Sequence, residues 1–431
     1  MISKEILKKI ILEQNHLFSS RIEPIEREQM EELKKKSSSD FIIIISGIRR
    51  SGKSVLLSRF KNNQEEHSYY LNFDDERLHT FDVGDFEKLY EVFIELFGEQ
   101  SSFYFDEIQN IEGWERFIRR LHDYGNKIYI TGSNANLLSQ ELGTRLTGRY
   151  IQIELFPASF LEFLRFKNIS YSQDDFYDRK KAILLQKNCD EYAKKGGFLK
   201  FLQTDESDFF KILHDNIVYR DIIAKYSITH KKGISDIFYY LISNVSKEFS
   251  YTTLKAISGI SSLTTIKDYI TYFEESYLLF TVFKYDFSLK KQLINPKKVY
   301  SIDTGMANSI SFKFSENRGR VLENMVFLEL KRRSAKAGTE IYYHSEKNKS
   351  ECDFVLKNKV KGEIVNAIQV TESLANIDTR EREIKGLLDA IVFYGLSSGI
   401  IITEDEEDEI SEGGYTIQVI PLWKWLLIKT L

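Results

Sequence analysis

The chain contains little cysteine and little proline. Only Cys189 and Cys352 occur among 431 residues, together with four prolines. Two isolated cysteines give neither a disulfide framework nor the ligand spacing of a zinc site, so we expect a reducing, cytoplasmic environment. Because prolines often mark breaks between elements, their scarcity makes domain boundaries hard to find.

Long apolar runs and a strong net charge are also missing. The run Phe41–Ile45 is among the longest, far below the ~20 residues of a spanning helix, so no membrane association is predicted. Residues 1–11 alternate charged with apolar side chains, which predicts an amphipathic helix and not a signal peptide. The net charge of −4 gives no overall attraction to nucleic acid, so any DNA contact requires a local basic patch.

One glycine-rich turn follows the apolar run directly. Gly47 is followed by Gly52, Lys53 and Ser54, and a helix is predicted from Val55. Glycines let the backbone approach phosphate oxygens, lysine reaches the β- and γ-phosphates, and the serine hydroxyl can bind Mg²⁺. A chance glycine-rich turn is the weaker alternative. We predict that ATP is bound by Gly47, Ile48, Arg49, Arg50, Ser51, Gly52, Lys53, Ser54 and Val55.

A second predicted strand, Ser102–Phe105, ends in two carboxylates, Asp106 and Glu107. Nucleotide hydrolysis requires one carboxylate at the magnesium ion and one that polarises the attacking water. We assign Asp106, with Ser54, to Mg²⁺ and Glu107 to the water. A solvated acidic turn is the alternative, and the preceding glycine-rich turn makes it less favoured.

A third strand, from Lys127, ends in Ser133 and Asn134, either of which could sense the γ-phosphate, since ligands bind at the carboxyl ends of parallel strands. Two arginines precede a further strand, and either could reach a neighbouring subunit's nucleotide as an arginine finger. Arg149 is the first candidate for this role and Arg145 is the second. An equally favoured alternative is an arginine that complements a helix dipole. The predicted catalytic residues are Glu107, Lys53, Arg149 and Asn134.

The sequences GIRRSGKS, FYFDEIQN, ITGSNA and LTGRYIQIELFPASFLEF occur in this order. The chain thereby resembles the bacterial and archaeal AAA+-superfamily ATPases that carry a C-terminal domain of unknown function. Later segments, such as Lys195–Phe198 and Val321–Leu330, fit the same family. The resemblance implies an ATPase core, a winged-helix region and a domain similar to PD-(D/E)xK nucleases, but no biological role.

We therefore expect an α/β fold: an AAA+-like P-loop NTPase parallel sheet, a helical and winged-helix region, and a mixed α/β restriction-endonuclease-like domain. The expected segments are a helical lead-in (1–35), the ATPase domain (36–157), a helical region (158–225), a winged-helix-like region (226–290) and the nuclease-like domain (291–431).

The predicted winged-helix region has a mild excess of positive charge. Eleven lysines face six acidic residues between Lys225 and Lys298. A helix that opens with Ser262, Thr265 and Lys267 could contact DNA through these residues. A predicted wing strand, from Leu278 to Lys284, follows this helix in the chain. This helix contains no arginine, the residue best suited to reading bases. A packing module without DNA contact is the favoured alternative.

The nuclease-like region lacks one part of the pattern that the resemblance implies. Glu323 and Asp353 match acidic metal ligands, and Gln369 is an acceptable substitute ligand. Thr371 stands where the lysine is needed, and Lys359 and Lys361, which could replace it, precede the strand. We expect an inherited fold whose nuclease centre is disabled or altered.

The sequence thus predicts an ATP-binding protein that hydrolyses ATP with Mg²⁺ and uses the cycle to rearrange its C-terminal domains. Its predicted partners are the nucleotide, a further copy of the chain through Arg149, DNA, and a protein partner of unknown identity. A DNA-binding regulator or nucleotide-gated switch with negligible turnover is the rival hypothesis. A metal-dependent nuclease is the third.

Overall fold

The computed structural model describes residues 2–21, 24–64, 68–133, 146, 148–311, 317–346 and 351–428. The chain divides into two compact units. The first comprises residues 1–157 together with 275–277, and the second comprises residues 158–274 and 278–431. Within the described ranges, no helix is both long and apolar enough to span a membrane.

The first unit alternates strands with helices. In chain order its elements are α1 (Lys4–Ser19), α2 (Gln29–Ser37), β1 (Ile42–Ser46), α3 (Lys53–Asn62), β2 (Tyr69–Asn72), α4 (Phe86–Phe97), β3 (Ser102–Asp106), α5 (Trp114–Asp123), β4 (Lys127–Gly132) and β5 (Tyr150–Glu154). Short 3₁₀ helices span Glu76–Leu78, Val83–Asp85 and Ile108–Asn110.

The five strands form one parallel sheet in the order β2-β3-β4-β1-β5. Every residue of β1 is buried because the sheet is covered on both faces. Ile42 and Ile44 pack in one apolar cluster with residues of α1, α4 and α5, whereas Ile43 and Ile45 pack in another with residues of α2 and α3. The carboxyl ends of the strands therefore lie at one edge, where the glycine-rich turn leaves β1.

The second unit begins with helices and continues into a mixed sheet. Its elements are α6 (Phe160–Phe166), α7 (Arg179–Lys195), α8 (Leu199–Thr204), α9 (Phe209–Asp215), α10 (Lys231–Ser243), β6 (Glu248–Phe249), α11 (Tyr251–Ser258), α12 (Leu263–Glu275), β7 (Leu279–Lys284), α13 (Leu289–Ile294), β8 (Lys297–Ser301), α14 (Thr304–Ile310), α15 (Arg318–Ala337), β9 (Thr339–Ser345), β10 (Glu351–Asn358), β11 (Ile364–Val370), α16 (Ile377–Tyr394), β12 (Ser398–Thr403), β13 (Asp408–Glu412), β14 (Tyr415–Pro421) and α17 (Leu422–Leu427). A 3₁₀ helix (Gln173–Phe176) precedes α7, and a π-helix (Asn216–Ala224) follows α9.

Nine strands of this unit form one sheet in the order β13-β14-β12-β11-β10-β9-β7-β8-β6. Strands β6, β8 and β7 pair antiparallel, and β7 joins the rest of the sheet through a parallel pairing with β9. The strands on either side of α13 are thus continuous with those of the C-terminal region. The predicted fold class, a P-loop-type parallel sheet followed by helices and a mixed sheet, is confirmed, whereas the five segment boundaries stay predictions.

The region around the predicted DNA-contacting helix has the order α10, β6, α11, α12, β7, α13, β8. Ser250 caps α11 because its hydroxyl accepts a hydrogen bond from the Thr253 amide, at 3.1 Å. Gly259 ends α11 in the left-handed conformation. The strands of this region belong to the nine-stranded sheet, and a winged helix stays a prediction.

Candidate nucleotide-binding site

The turn after β1 requires glycine at its first position. Gly47 has φ of 149°, and a Cβ there would lie 2.1 Å from the carbonyl oxygen of Leu155. Gly52, with φ of 100°, caps the start of α3 in the left-handed region that other residues rarely adopt. Arg50 adopts φ of 66° without being glycine. The backbone therefore curls tightly at the N-terminus of α3, where amide groups and the helix dipole favour an anion.

Lys53 lies inside this turn. Its Nζ donates to the carbonyl oxygens of Gly47, at 3.0 Å, and Ile48, at 3.1 Å. The residue is only 5% exposed. Ser51, in the same turn, is also buried, and its Oγ has no hydrogen-bond partner among the described residues. The turn thus holds a buried ammonium group and an unsatisfied hydroxyl, both suited to a phosphate ligand.

Hydroxyl groups and a carboxylate meet beside the turn. Ser54 Oγ donates to Asp106 Oδ1 at 2.9 Å, and Thr131 Oγ1 donates to the same oxygen. Tyr70 donates to the other oxygen of Asp106, at 3.4 Å. Asp106 is 1% exposed at the end of β3. A serine hydroxyl beside a fixed carboxylate oxygen is a donor set that suits Mg²⁺, which prefers hard oxygen ligands.

Glu107 follows Asp106 in a strained backbone conformation, with φ of 54°. Gln109 Nε2 and Ser133 Oγ donate to Glu107 Oε2, the serine at 3.3 Å. Burial raises the pKa of Glu107 and Asp106 raises it further, while Lys53 and Arg49 lower it in part. The carboxylate is held by neighbours and is more basic than an exposed glutamate, which suits a group that accepts a proton.

Two arginines of the segment between α1 and α2 reach this site, and the sequence reasoning missed both. Arg27 is 1% exposed, and its guanidinium donates to the carbonyl oxygens of Ser51, at 2.9 Å, and Phe156, at 2.6 Å. Arg21 lies 3.5 Å from Asp106 Oδ2. No motif marks these arginines, and the sequence predicted this segment only as part of a helical lead-in.

Tyr277 also contacts the end of β1. Its hydroxyl lies 2.8 Å from Ser46 Oγ, the residue before Gly47, and 3.1 Å from Glu154 Oε1. Tyr277 is 2% exposed and belongs to the first unit, although it follows α12 in the chain. A sequence separation of 231 residues gives no local signal for this contact.

The remaining predicted residues of the first unit divide into three groups. Ser133 lies beside Glu107, as described. Asn134 and Arg145 lie outside the described residues. Arg149 precedes β5 at the amino-terminal edge of the sheet, where its carbonyl accepts from the Ile42 amide at 2.9 Å and its guanidinium lies 3.5 Å from Asp123. Because Gly47 follows the opposite end of β1, roughly 16 Å away for a strand of this length, Arg149 does not reach its own chain's glycine-rich turn.

The predicted DNA-contacting residues lie at the start of α12. Ser262 Oγ accepts from the Thr265 amide at 3.2 Å, so Ser262 satisfies the helix end. Lys267 is exposed, with its Nζ 5.4 Å from the ring centre of Tyr251. These contacts are those of a stable helix start and neither require nor exclude DNA, so DNA binding stays a prediction.

The predicted nuclease-like centre differs from expectation in its lysine. Lys359 and Lys361 are exposed between β10 and β11. Instead Lys298, on β8, lies 2.8 Å from Asp353 Oδ1 and 3.0 Å from Glu323 Oε1. The sequence offered Lys359 and Lys361 as possible substitutes and did not indicate Lys298, because it does not reveal that β8 lies in the same sheet as β10. Asp353 also lies within β10 and not before it.

Comparison with known proteins gives the family. An uncharacterized protein of Methanocaldococcus jannaschii, MJ1544, is 35% identical over 442 aligned residues, which cover 99% of this chain and 96% of that protein. The chain belongs to the family of MJ1544. An uncharacterized protein of Haemophilus influenzae is 34% identical over 319 residues, covering 70% of this chain and 78% of that protein.

Family models divide the sequence into three matches. Residues 39–164 match the AAA domain, residues 186–317 match a domain of unknown function, DUF8612, and residues 318–425 match another, DUF4143. The AAA match spans β1 to β5 and every described residue of the site except those of the lead-in and Tyr277. The chain therefore carries a P-loop ATPase domain of the AAA type.

Solved structures give weaker likenesses. The Walker-type ATPase PABY2304 of Pyrococcus abyssi has 14% identity and a TM-score of 0.42, over 66% of this chain and 95% of that one. A signal transduction ATPase with a tetratricopeptide repeat sensor from Pyrococcus horikoshii has 13% identity and a TM-score of 0.28, over 73% and 46% of the respective chains.

Proposed function

We propose that this protein binds and hydrolyses ATP with Mg²⁺ at the turn between β1 and α3. The observation that carries the proposal is the convergence of Lys53, the Ser54–Asp106 pair and Glu107 at the carboxyl edge of one parallel sheet. The test is titration of ATP and Mg²⁺ into the wild type and a Lys53 variant, followed by phosphate release from a Glu107 variant.

Each side chain has a distinct task in this proposal. The amides of residues 47–54 and the ammonium of Lys53 bind the phosphates, and Lys53 exchanges its contacts with the Gly47 and Ile48 carbonyl oxygens for the phosphate. Glu107 accepts the proton of the attacking water, and Gln109 and Ser133 hold its carboxylate in position. Ser133, and Asn134 by prediction, sense the γ-phosphate.

Magnesium fits the oxygen donors of Ser54 and Asp106. When bound, the ion neutralises charge that develops on the phosphates. Arg21 competes for this carboxylate, because it lies 3.5 Å from Asp106 Oδ2. Ser54 would exchange its hydrogen bond with Asp106 for a metal contact, while Thr131 keeps the carboxylate oriented.

Arg27→Ala should lower ATP affinity although Arg27 is not itself a phosphate ligand. Its guanidinium joins the carbonyl of Ser51 to that of Phe156, and without it the turn loses a charged hydrogen bond and its fixed shape. Loss of a charge-assisted bond of this kind predicts roughly a tenfold weaker Kd by calorimetry. Arg27→Lys should restore only part of the affinity, because one ammonium replaces a planar fork.

Arg59→Ala is the control, since Arg59 also donates to a lead-in carbonyl, that of Ile25 at 3.4 Å, without touching the turn. Equal ATP affinity in the Arg27 variant and the wild type would contradict a supporting role for Arg27.

Arg149→Ala should reduce turnover at least ~100-fold if Arg149 acts as the arginine finger of a neighbouring copy. A mixture of the Arg149→Ala protein and the Glu107→Gln protein should regain phosphate release. The first variant supplies a site with an intact Glu107, and the second supplies an intact Arg149 to that site. Asp123→Asn is the control: it removes the 3.5 Å ion pair but keeps the arginine, so turnover should persist.

The mixture is decisive for the role of Arg149. A mixture of Glu107→Gln with the double variant Glu107→Gln/Arg149→Ala should stay inactive, because every site lacks Glu107. If Arg149→Ala keeps full turnover, or if the first mixture gains nothing, Arg149 has a structural role, to which its ion pair with Asp123 contributes.

We further propose that hydrolysis rearranges the C-terminal domains, and that Tyr277 transmits the change. Tyr277 contacts Ser46 directly before the turn, and it is joined by one residue to β7 of the nine-stranded sheet. A shift of Ser46 on phosphate release would alter the 2.8 Å hydroxyl contact. The rival hypothesis, a nucleotide-gated switch with negligible turnover, uses the same contact and differs only in the phosphate release rate.

A further inference from the structure

A buried ion cluster lies in the nine-stranded sheet of the second unit. The Lys298 side chain is 2% exposed, and its Nζ lies 2.8 Å from Asp353 Oδ1, 3.0 Å from Glu323 Oε1 and 2.5 Å from Glu351 Oε1. Burial alone would lower the pKa of Lys298, but Asp353 and Glu323 outweigh it and raise that pKa well above its ordinary value. One ammonium group therefore lies within ion-pair distance of three carboxyl groups at once.

Several polar atoms around Lys298 have further partners. Asp353 Oδ2 accepts from the Val370 amide at 2.9 Å, and the Tyr300 hydroxyl donates to Glu323 Oε1 at 2.7 Å. Gln369 Oε1 accepts from the Asp353 amide at 3.1 Å, and its Nε2 donates to Glu383. The carboxamide oxygen that a metal would use is engaged in a backbone contact.

A divalent metal, which the resemblance to nucleases implies, does not fit this arrangement. Such an ion would lie about 2.1 Å from the same carboxylate oxygens that now surround the ammonium group. Because the metal and the Lys298 ammonium would share these oxygens, the two cations would lie close together and repel each other strongly in a buried site. Thr371, in the position where the nuclease pattern has lysine, directs its hydroxyl to the Ser373 carbonyl at 3.5 Å and adds no charge.

We propose that Lys298 is a built-in cation that takes the place of a catalytic metal and turns the former nuclease centre into a metal-independent joint. The joint connects three elements: β8 supplies Lys298, α15 supplies Glu323 and β10 supplies Asp353. Since β8 also pairs with β6 and β7, the ion cluster fixes the register of these strands against the C-terminal part of the sheet. Buried ion groups of this kind specify one arrangement more than they stabilise it.

The first test measures Mn²⁺ binding to nucleotide-free full-length protein by calorimetry. Only heat that Asp353→Asn removes is assigned to this centre, which separates it from any binding at Asp106. The wild type should give no such heat. Lys298→Met, which leaves the carboxylates in place, should gain a Mn²⁺ site that the double variant Lys298→Met/Asp353→Asn lacks.

The second test measures thermal stability. Lys298→Met leaves carboxylates buried without a cation and should lower the Tm by about 10 °C, with partial recovery on addition of Mn²⁺. Lys290→Met, an exposed lysine, is the control and should leave the Tm unchanged. The triple variant Lys298→Met/Glu323→Gln/Asp353→Asn, which removes charges of both signs, should fold even where the single variant does not.

Three results would overturn the proposal. The first is Mn²⁺ binding by the wild type that Asp353→Asn abolishes. The second is a folded Lys298→Met variant with no Mn²⁺ site or with an unchanged Tm. The third is a triple variant that fails to fold, because the lysine would then be needed for packing and not as a counter-charge.

Discussion

Lys53→Ala should weaken ATP binding at least ~100-fold, because the buried ammonium that faces the phosphates is lost. Lys53 is only 5% exposed and already occupies the interior of the turn. Calorimetric titration of ATP with Mg²⁺ measures the loss directly.

The fold should survive this change. Lys53 donates to the carbonyl oxygens of Gly47 and Ile48, and water can replace these contacts once the long side chain is absent. Far-UV circular dichroism and the Tm should therefore stay close to those of the wild type. Lys61→Ala makes the same change on the same helix, α3, outside the turn, and should bind ATP normally. A Lys53→Ala protein that binds ATP as tightly as the wild type would remove the turn from nucleotide binding altogether.

The first unit could be predicted from the sequence because its signals are local. The strand before Gly47, the helix after it and the carboxylates after Phe105 are contiguous in the chain, and the parallel sheet brings their carboxyl ends to one edge. The contact between Ser54 and Asp106 follows from that geometry alone.

The supporting residues Arg27 and Tyr277 could not be predicted, because their contact partners are far away in the sequence. Arg27 contacts Phe156 across 129 positions, and Tyr277 contacts Ser46 across 231 positions. Neither belongs to a repeating pattern, and a single arginine or tyrosine in a charged or aromatic segment carries no local sign of its partner. Such contacts appear only when the tertiary fold is known.

The second unit gives the clearest example of this limit. Thr371 carries no charge and cannot take the role of the nuclease lysine. The substitutes that the sequence suggested for that lysine were two nearby residues, Lys359 and Lys361. Lys298 lies on β8, and the sheet order β10-β9-β7-β8 brings that strand toward Asp353. Strand order in a mixed sheet depends on long-range pairing, which residue patterns along the chain do not specify.

Glu107→Gln should lower the rate of phosphate release by roughly 10²–10⁴-fold, the usual contribution of a general base, while ATP affinity stays close to that of the wild type. The change preserves the shape of the side chain and its contacts with Gln109 and Ser133, but the amide accepts no proton. Steady-state phosphate release and calorimetry on the same preparations separate the two effects. Glu112→Gln, an exposed glutamate on the same segment, is the matched control and should keep full turnover.

The pH dependence gives an independent check on Glu107. Burial is the largest cause that raises its pKa, with Asp106 adding to it against the opposing charges of Lys53 and Arg49. Since the deprotonated carboxylate is the base, turnover should fall as the pH decreases through this raised pKa, at a higher pH than for an exposed glutamate. The residual activity of Glu107→Gln should lack that decline. Equal rates for the wild type and Glu107→Gln at every pH would exclude Glu107 from the reaction.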